Sequence, residues 1–381
     1  MPASPPLLDS APNSGPVWST APRHQRWAAL DGDGQADLCV VGLGYSGLSA
    51  VGAALDAGAT VIGLDAGLVA SGAAGANGGF LLAGLALFHH EAVARLGAAR
   101  ARGLYQATLD ELDRMGTAAS PHVRRTGSLR IADSAGERAD CAAHASALQS
   151  DGFRVSPYEG PEGAGIMLPD DGTCDPLARA LAAADTVVAR GARLHERTAA
   201  GVIRPGRVST PQGEVRCGAV VVAVDGGLEE LLPELSGRVR TTRLQMLATA
   251  PLDYVLTTRP VYARYGYEYY QQLPDGRVAL GGFRDRHQDA EWAAPAETSA
   301  GVQRDLETFL RERLAVQAPI THRWAARAAY TEDRLPVLEE WAPRVQVSGA
   351  YSGVGNILGA LCARAATARL LGGDDPLDGL L

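Results

Sequence analysis

Between Asp37 and Asp65 the chain reads DLCVVGLGYSGLSAVGAALDAGATVIGLD. An apolar run, Leu38 to Val41, enters a turn carrying Gly42, Gly44 and Gly47; a helical stretch follows, then a second apolar run, Thr60 to Leu64, closed by Asp65. The order is strand, glycine-rich turn, helix, strand, acid. Gly42 permits the tight turn, Gly44 admits a pyrophosphate against bare backbone, and Gly47 lets the helix pack closely on the strand. The helix N-terminus presents unpaired N–H groups to phosphate. Asp65 falls 23 residues after Gly42, close to the roughly 20-residue spacing at which an acid meets a ribose hydroxyl. With 45 glycines in the chain, a bare GxGxxG would carry little weight. The register of two strands, a helix and an acid around it predicts a dinucleotide site without distinguishing NAD from FAD.

A length of 381 residues gives two to three domain-sized units and a large core. The 46% hydrophobic and 20% charged fractions are those of a soluble globular protein. Met1 to Trp27 is rich in Pro and Ser and lacks the apolar core of a signal peptide, and no apolar run reaches the length of a membrane span, so a cytoplasmic enzyme is expected. A net charge of −8 argues against a nucleic-acid partner. Every basic residue counted as Lys or Arg is an arginine, which removes lysine bases and Schiff bases from the available chemistry. The five cysteines (Cys39, Cys141, Cys174, Cys217, Cys362) are scattered, without metal-ligand spacing, and read as structural thiols; no metal site is expected.

Residues 1 to about 35 read as an irregular arm, with Trp18 and Trp27 available to hold it to the body. After Asp65 comes ASGAAGANGGFLLAG, Ala70 to Gly84, a flexible linker or a ligand loop; Asn77 and the apolar Phe80 to Leu82 favour the loop. Glu91 to Met115 has helical spacing, opened by His89 and His90 as a capping or solvated pair. Ser128 to Ile131 reads as a strand and Glu137 to Gln149 as a helix, the start of a second, α+β unit. Asp175 and Pro176 open a helix to about Val188. A strand follows near Arg193 to Glu196, and the buried strand Ala219 to Val224, ending in Asp225-Gly226-Gly227, returns to the nucleotide unit. From Val239 to Phe283 the pattern is antiparallel, with five tyrosines between Tyr262 and Tyr270. Tyr267, Tyr269 and Gln271 share one strand face and Tyr270 the other. An aromatic face packed into a sheet and a pocket wall both fit. Ala300 to Leu314 is an amphipathic helix; strands His322 to Tyr330 and Val345 to Gly349, the turn Tyr351 to Asn356 and a small-residue helix to about Leu371 complete the chain.

Taken in order, the fingerprint with Asp65, GAAGANGG, CDPLARAL, VVVAVDG, RLQM with Gln245, PDGRVALGG, RWAARAAYTEDRLP and GAYSGVGN resemble the D-amino acid oxidase superfamily of FAD-dependent oxidoreductases, nearest its glycine oxidase, sarcosine oxidase and γ-glutamylputrescine oxidoreductase branch. The resemblance runs from about residue 36 to the C-terminus. It implies an α/β plus α+β fold: a Rossmann-like FAD-binding domain over residues 36–90, 165–228 and 321–381, and an antiparallel-sheet substrate domain over 91–164 and 229–320, with the 1–35 arm outside both. Non-covalent FAD is implied, with Gly42, Gly44 and Gly47 at the pyrophosphate, Asp65 at the ribose, Ala199 by the adenine, Gly75, Asn77, Gly78 and Gly79 along the ribityl chain and ring edge, and Gly353, Val354, Gly355 and Asn356 at the pyrimidine end of the flavin.

The chain departs from its relatives where they often carry Ser and Arg, here Ala74 and Ala76, and where the usual last-turn histidine is Val354. The cysteine that tethers flavin in sarcosine oxidases matches Ala328, so no covalent link is expected there. The arginine that holds a substrate carboxylate in glycine oxidase-like relatives also falls at about that position. Arg327 is one residue away and would point off the opposite strand face. The oxygen-activating lysine of sarcosine oxidase falls near Ala279.

The implied reaction is oxidation of a C–N bond in a small-molecule amine or amino acid, by hydride transfer to flavin N5, to an imine that water hydrolyses. Gln245, Tyr270 and Tyr330 are assigned to the pocket and Arg327 to an anionic group. The alternatives are a dehydrogenase of the same fold using a quinone or protein acceptor, an NAD-dependent dehydrogenase, and a non-catalytic flavin-binding subunit. Oligomeric state is left open.

Overall fold

The strand Gly34–Val41 is buried on both faces from Leu38 to Val41, as expected of a central strand in a helix-covered parallel sheet. In the computed structural model, which describes residues 14–19, 22–117, 121–292 and 295–381, that strand pairs in parallel with Gly213–Val222 on one side and Val61–Leu64 on the other. Arg193–His195 extends the sheet beyond Val61–Leu64, and Val345–Gly349 joins Gly213–Val222, both in parallel. One face is covered by the helices Tyr45–Asp56, Pro176–Ala189 and Gly355–Leu371, whose small residues Ala54, Ala180, Ala184, Ala363 and Ala366 allow close packing on Leu38 and Val40. The other face, with Cys39, Val41, Ile62 and Leu64, packs on Leu228, Leu232, Val239 and Ala329.

A second sheet orders its strands Ile320–Thr331, Val239–Thr249, Val278–Gly282, Glu268–Gln272, Val261–Ala263, Ser128–Ile131, Gly163–Leu168 and Ser156–Gly160. Its pairs are antiparallel, except that Val261–Ala263 runs parallel to Ser128–Ile131. The helix Ala300–Thr308, widened by a π-helical turn at Phe309–Arg313, lays Val302, Leu306 and Leu310 on Leu247, Tyr270 and Leu280.

Three expectations are corrected. The strand Ile320–Thr331 pairs along its length with Val239–Thr249, and Gly163–Leu168 pairs with Ser128–Ile131, so the segments starting at 321 and 165 begin inside the second sheet rather than the first. The helix expected over Glu91 to Met115 is two, His89–Leu96 and Ala98–Thr117, broken at Gly97 with φ of 83°. Finally, His89 is buried and paired with Asp151 at 2.7 Å rather than solvated. Trp18 does hold the arm, donating its indole N–H to the Asn77 carbonyl at 2.8 Å, and Trp27 packs against the core of the first sheet.

Candidate active site

A single cavity of about 670 Å³ runs from the Gly42 turn to the tyrosine-rich strands of the second sheet. At its first end Gly42 has φ of 93°, and a Cβ there would strike the Ala223 carbonyl. Gly44 is the N-cap of the helix Tyr45–Asp56 and leaves the first N–H groups of that helix without a side-chain cap. Asp65 takes the Leu43 N–H on one carboxylate oxygen and the Gly67 N–H on the other, both at 2.8 Å. Each oxygen keeps a lone pair for a hydroxyl donor. Burial raises the Asp65 pKa against the pull of those two N–H bonds. Ala199 borders the same end of the cavity, carried there by a crossing in which Asp65 N–H bonds the His195 carbonyl and Thr198 N–H the Asp65 carbonyl.

In the middle, two glycine-rich segments far apart in the chain are clasped together. Asn77 accepts on Oδ1 from Gly79 N–H at 2.7 Å and from Asn356 Nδ2 at 2.9 Å, and donates its own amide to the Ala73 carbonyl. Asn356 also donates to the Phe80 carbonyl at 2.9 Å and accepts from Arg179 at 3.1 Å. Arg179 is almost fully buried and lies 3.7 Å over the Tyr45 ring, so a cation sits directly behind the clasp. The helix Gly355–Leu371 opens here, with Gly353, Val354, Gly355 and Asn356 all on the cavity. Its leading N–H groups precede any acceptor in their own helix. Asp225 ties this turn to the second sheet by accepting from Tyr351 N–H at 3.0 Å and Ala329 N–H at 3.2 Å. Burial pushes its pKa up to about 6 against those bonds.

The far end is aromatic. Phe80, Tyr262 and Tyr269 form a cluster, with Phe80 edge-on to Tyr269 at 5.9 Å and Tyr262 stacked on Tyr269 at 6.3 Å. Tyr269 and Met246 lie against the bare face of Gly78. Tyr330 faces Gly353, its hydroxyl 3.0 Å from where a Cβ would stand. Burial raises the Tyr330 phenol to about 12, so it is a neutral donor at ordinary pH.

Strand parity decides which expected residues belong. Leu244 and Met246 line the cavity; Gln245 between them points away, bonding Glu291 at 2.8 Å and Ser299 at 2.7 Å behind the sheet. Tyr270 likewise faces away and packs on Phe309, while Tyr267 and Tyr269 face the cavity. Gln245 and Tyr270 are therefore removed from the pocket. Tyr330 lines it, and Arg327 borders it but is bidentately paired with Glu230. Gly47, Gly75 and Gly79 stand behind the wall: a Cβ on them would strike the carbonyls of Gly42, Ala70 and Cys174. Their role is close backbone packing rather than ligand contact.

The sequence reading gave no site role to Arg179, Asp225 or Arg284, and named Tyr262 only as part of the tyrosine cluster. Arg179 carried a signal, the one basic residue in the alanine-rich helix Pro176–Ala189, beside the buried Leu177 and Ala180. Arg284 carried none, because it follows a turn set by Phe283 at φ 63°.

The donor set suits an extended FAD: an uncapped helix start and hydroxyl-accepting acid at one end, a second helix start at the other, and apolar walls between them. None of the five cysteines lines the cavity. No helix among the described residues is long and apolar enough to cross a membrane, and no cluster of His, Cys, Asp and Glu among them could hold a metal ion.

Comparison with known proteins agrees with this arrangement. The chain is 25% identical over 385 residues to a probable oxidoreductase, OrdL, of Rhizobium meliloti (strain 1021), covering 94% of this chain and 89% of that one. It is also 25% identical over 405 residues to γ-glutamylputrescine oxidoreductase of Escherichia coli (strain K12), covering 93% and 88%. Among solved structures, glycine oxidase from Geobacillus kaustophilus superposes with a TM-score of 0.72 at 21% identity, over 91% of this chain and 98% of that one. L-proline dehydrogenase from P. horikoshii gives 0.73 at 16% identity, over 92% and 97%. The model of the FAD-dependent oxidoreductase family, DAO, matches residues 37–369, and the chain belongs to that family.

Proposed function

We propose that the protein oxidises a C–N bond of a small amine or amino acid, with FAD held non-covalently. Bound FAD supplies the hydride acceptor. The observation that carries this reading is the joining of two glycine-rich helix starts and an aromatic chamber in one cavity. Gly42 and Gly44 admit the pyrophosphate, Asp65 receives a ribose hydroxyl, and the uncapped start of Gly355–Leu371 faces the negative charge that develops at the pyrimidine end. The relatives point the same way: one is a γ-glutamylputrescine oxidoreductase, and one solved structure is a glycine oxidase.

The chain's own contribution is positioning and the exclusion of water. No histidine, lysine or cysteine lines the cavity, and its acids, Asp65, Asp225 and Glu230, are engaged by backbone N–H groups or by Arg327. Hydride loss from the carbon beside a neutral amine needs no strong base, and this inventory suits it. Tyr269, Tyr267 and Tyr330 wall the space where the substrate would lie, with the Tyr330 hydroxyl free to donate to it. The product imine is released for hydrolysis.

The test is anaerobic mixing of the yellow holoprotein with primary and secondary amines, polyamines, and D- and N-methyl amino acids. Loss of the flavin absorbance near neutral pH with at least one class is the expected result. Failure of every class to bleach the flavin overturns the reading. Reoxidation by air, timed against reoxidation by a quinone, then separates an oxidase from a dehydrogenase.

A further inference from the structure

Resting on that reading, the structure assigns a second role at the aromatic end: we propose that Arg284 is the anchor for a carboxylate on the substrate, so that the substrate is an amino acid or a longer amine bearing a carboxylate. Arg327, the arginine nearest the expected position, is neutralised by Glu230 in a bidentate pair. Arg284 reaches the same cavity from a different element, the turn after the strand Val278–Gly282. Its guanidinium carbon lies 4.6 Å from the centre of the Tyr330 ring, 5.0 Å from Tyr267 and 5.8 Å from Trp292. No carboxylate or hydrogen-bond acceptor among the described residues engages it.

Most neighbouring arginines provide a contrast; Arg130 and Arg240 also lie over rings with no carboxylate partner among the described residues, but neither borders the cavity. Arg264 is held by Glu268 and Asp285, Arg243 by Glu291, and Arg286 lies near Glu268 and Asp305. Ring faces attract a guanidinium and fix its plane but take none of its five N–H donors. A half-buried cation held in that way, beside a largely apolar chamber, matches the geometry of a planar carboxylate bound through two parallel N–H bonds. Lysine's point charge would not reproduce that fork. The rings also set the direction: Tyr330, which touches Arg284, faces Gly353 of the last glycine-rich turn. A carboxylate on Arg284 therefore places the rest of the substrate toward that turn and the end of the cavity assigned to the flavin.

The test titrates holoprotein with acetate and benzoate, using neutral benzamide as the control and reading the perturbation of the flavin visible spectrum. The wild type should bind benzoate and not benzamide. R284M should retain its FAD and melting temperature while binding benzoate roughly 10- to 100-fold more weakly, the span expected for loss of charge-assisted bonds. R284K should recover only part of that loss. Unchanged benzoate affinity in R284M overturns the assignment, as does loss of benzoate binding in R327M with R284M unaffected, or equal binding of benzamide. Amines added to the same samples keep the two readings apart. Arg284-dependent benzoate binding with no bleaching by any amine supports the anchor and removes the amine-oxidation reading; bleaching with unaltered benzoate binding in R284M does the reverse.

Discussion

The two ends of the cavity are built from different material. At the dinucleotide end the contacts are main chain: Gly42 and Gly44 leave the backbone bare, and the one side chain that matters, Asp65, is itself held by two backbone N–H groups. At the aromatic end the contacts are side chains, Tyr262, Tyr267, Tyr269, Tyr330 and Arg284, projecting from strands and from the turn after one of them. A main-chain site is intolerant of any added atom. A side-chain site tolerates substitution but depends on which face each residue occupies.

The sharpest way to break this contrast is Gly47→Ala. Its new methyl would strike the Gly42 carbonyl through the helix-to-turn contact, and overpacking against backbone costs about 3 kcal/mol. The variant should purify with little or no FAD, read as the ratio of flavin to protein absorbance. A tyrosine-end variant such as R284M should stay yellow.

Glu291→Gln asks whether the side-chain end has a scaffold of its own. It leaves the buried Arg243 without its carboxylate, at a cost of roughly 3 kcal/mol by denaturant unfolding. Burial raises the Glu291 pKa, but the bonds from Arg243, Gln245 and Ser299 outweigh it and hold the carboxyl below its ordinary 4.5. That contribution is therefore complete above about pH 4.5 and is lost as the pH falls through the lower folded-state value. The gap between wild type and E291Q should narrow on acidification below 4.5 and stay flat above it.

Asn356→Ala opens the clasp between the ends. It removes two donated bonds and leaves Arg179 without its side-chain acceptor, so we expect a loss of about 2 kcal/mol and release of FAD at a lower temperature than the wild type. Asp65→Ala should weaken FAD about tenfold, roughly 1.4 kcal/mol, measured by fluorescence of released flavin. Full affinity in that variant would remove the ribose assignment. The smallest effect is expected for Tyr270→Phe, which alters a ring packed on Phe309 outside the cavity: under about 0.5 kcal/mol and no change in flavin reduction by substrate.

The same contrast explains what could be read from the sequence. The Gly42 to Asp65 unit was legible because steric exclusion leaves a residue-level mark: only glycine fits, at fixed spacing. The return of the buried run Ala219 to Val224 to the same unit also followed, and its strand does pair in parallel with Gly34–Val41, both buried on both faces where they meet. At the second sheet the tyrosines and Gln245 were visible, but which face meets the cavity depends on pairing with strands some eighty residues away. Leu244 and Met246 take that face, and Gln245 is turned out by a single step of the pleat. Gly75 and Gly79 show the converse limit, since a required glycine does not say whether ligand or backbone excludes the side chain. Arg284 was hidden because nothing local separates a cation matched with a carboxylate from one held only by rings.

The bond between Asn77 and Asn356 spans 279 residues, and it bears on how the protein is made. During synthesis the first glycine-rich turn emerges early, but the strand Gly213–Val222 that flanks it and the helix Gly355–Leu371 that closes the clasp emerge much later. A nascent chain therefore has no finished seat for its cofactor until nearly all of it has left the ribosome. Shortening the chain at its C-terminal helix should yield a colourless product even though every residue of the opening fingerprint is present.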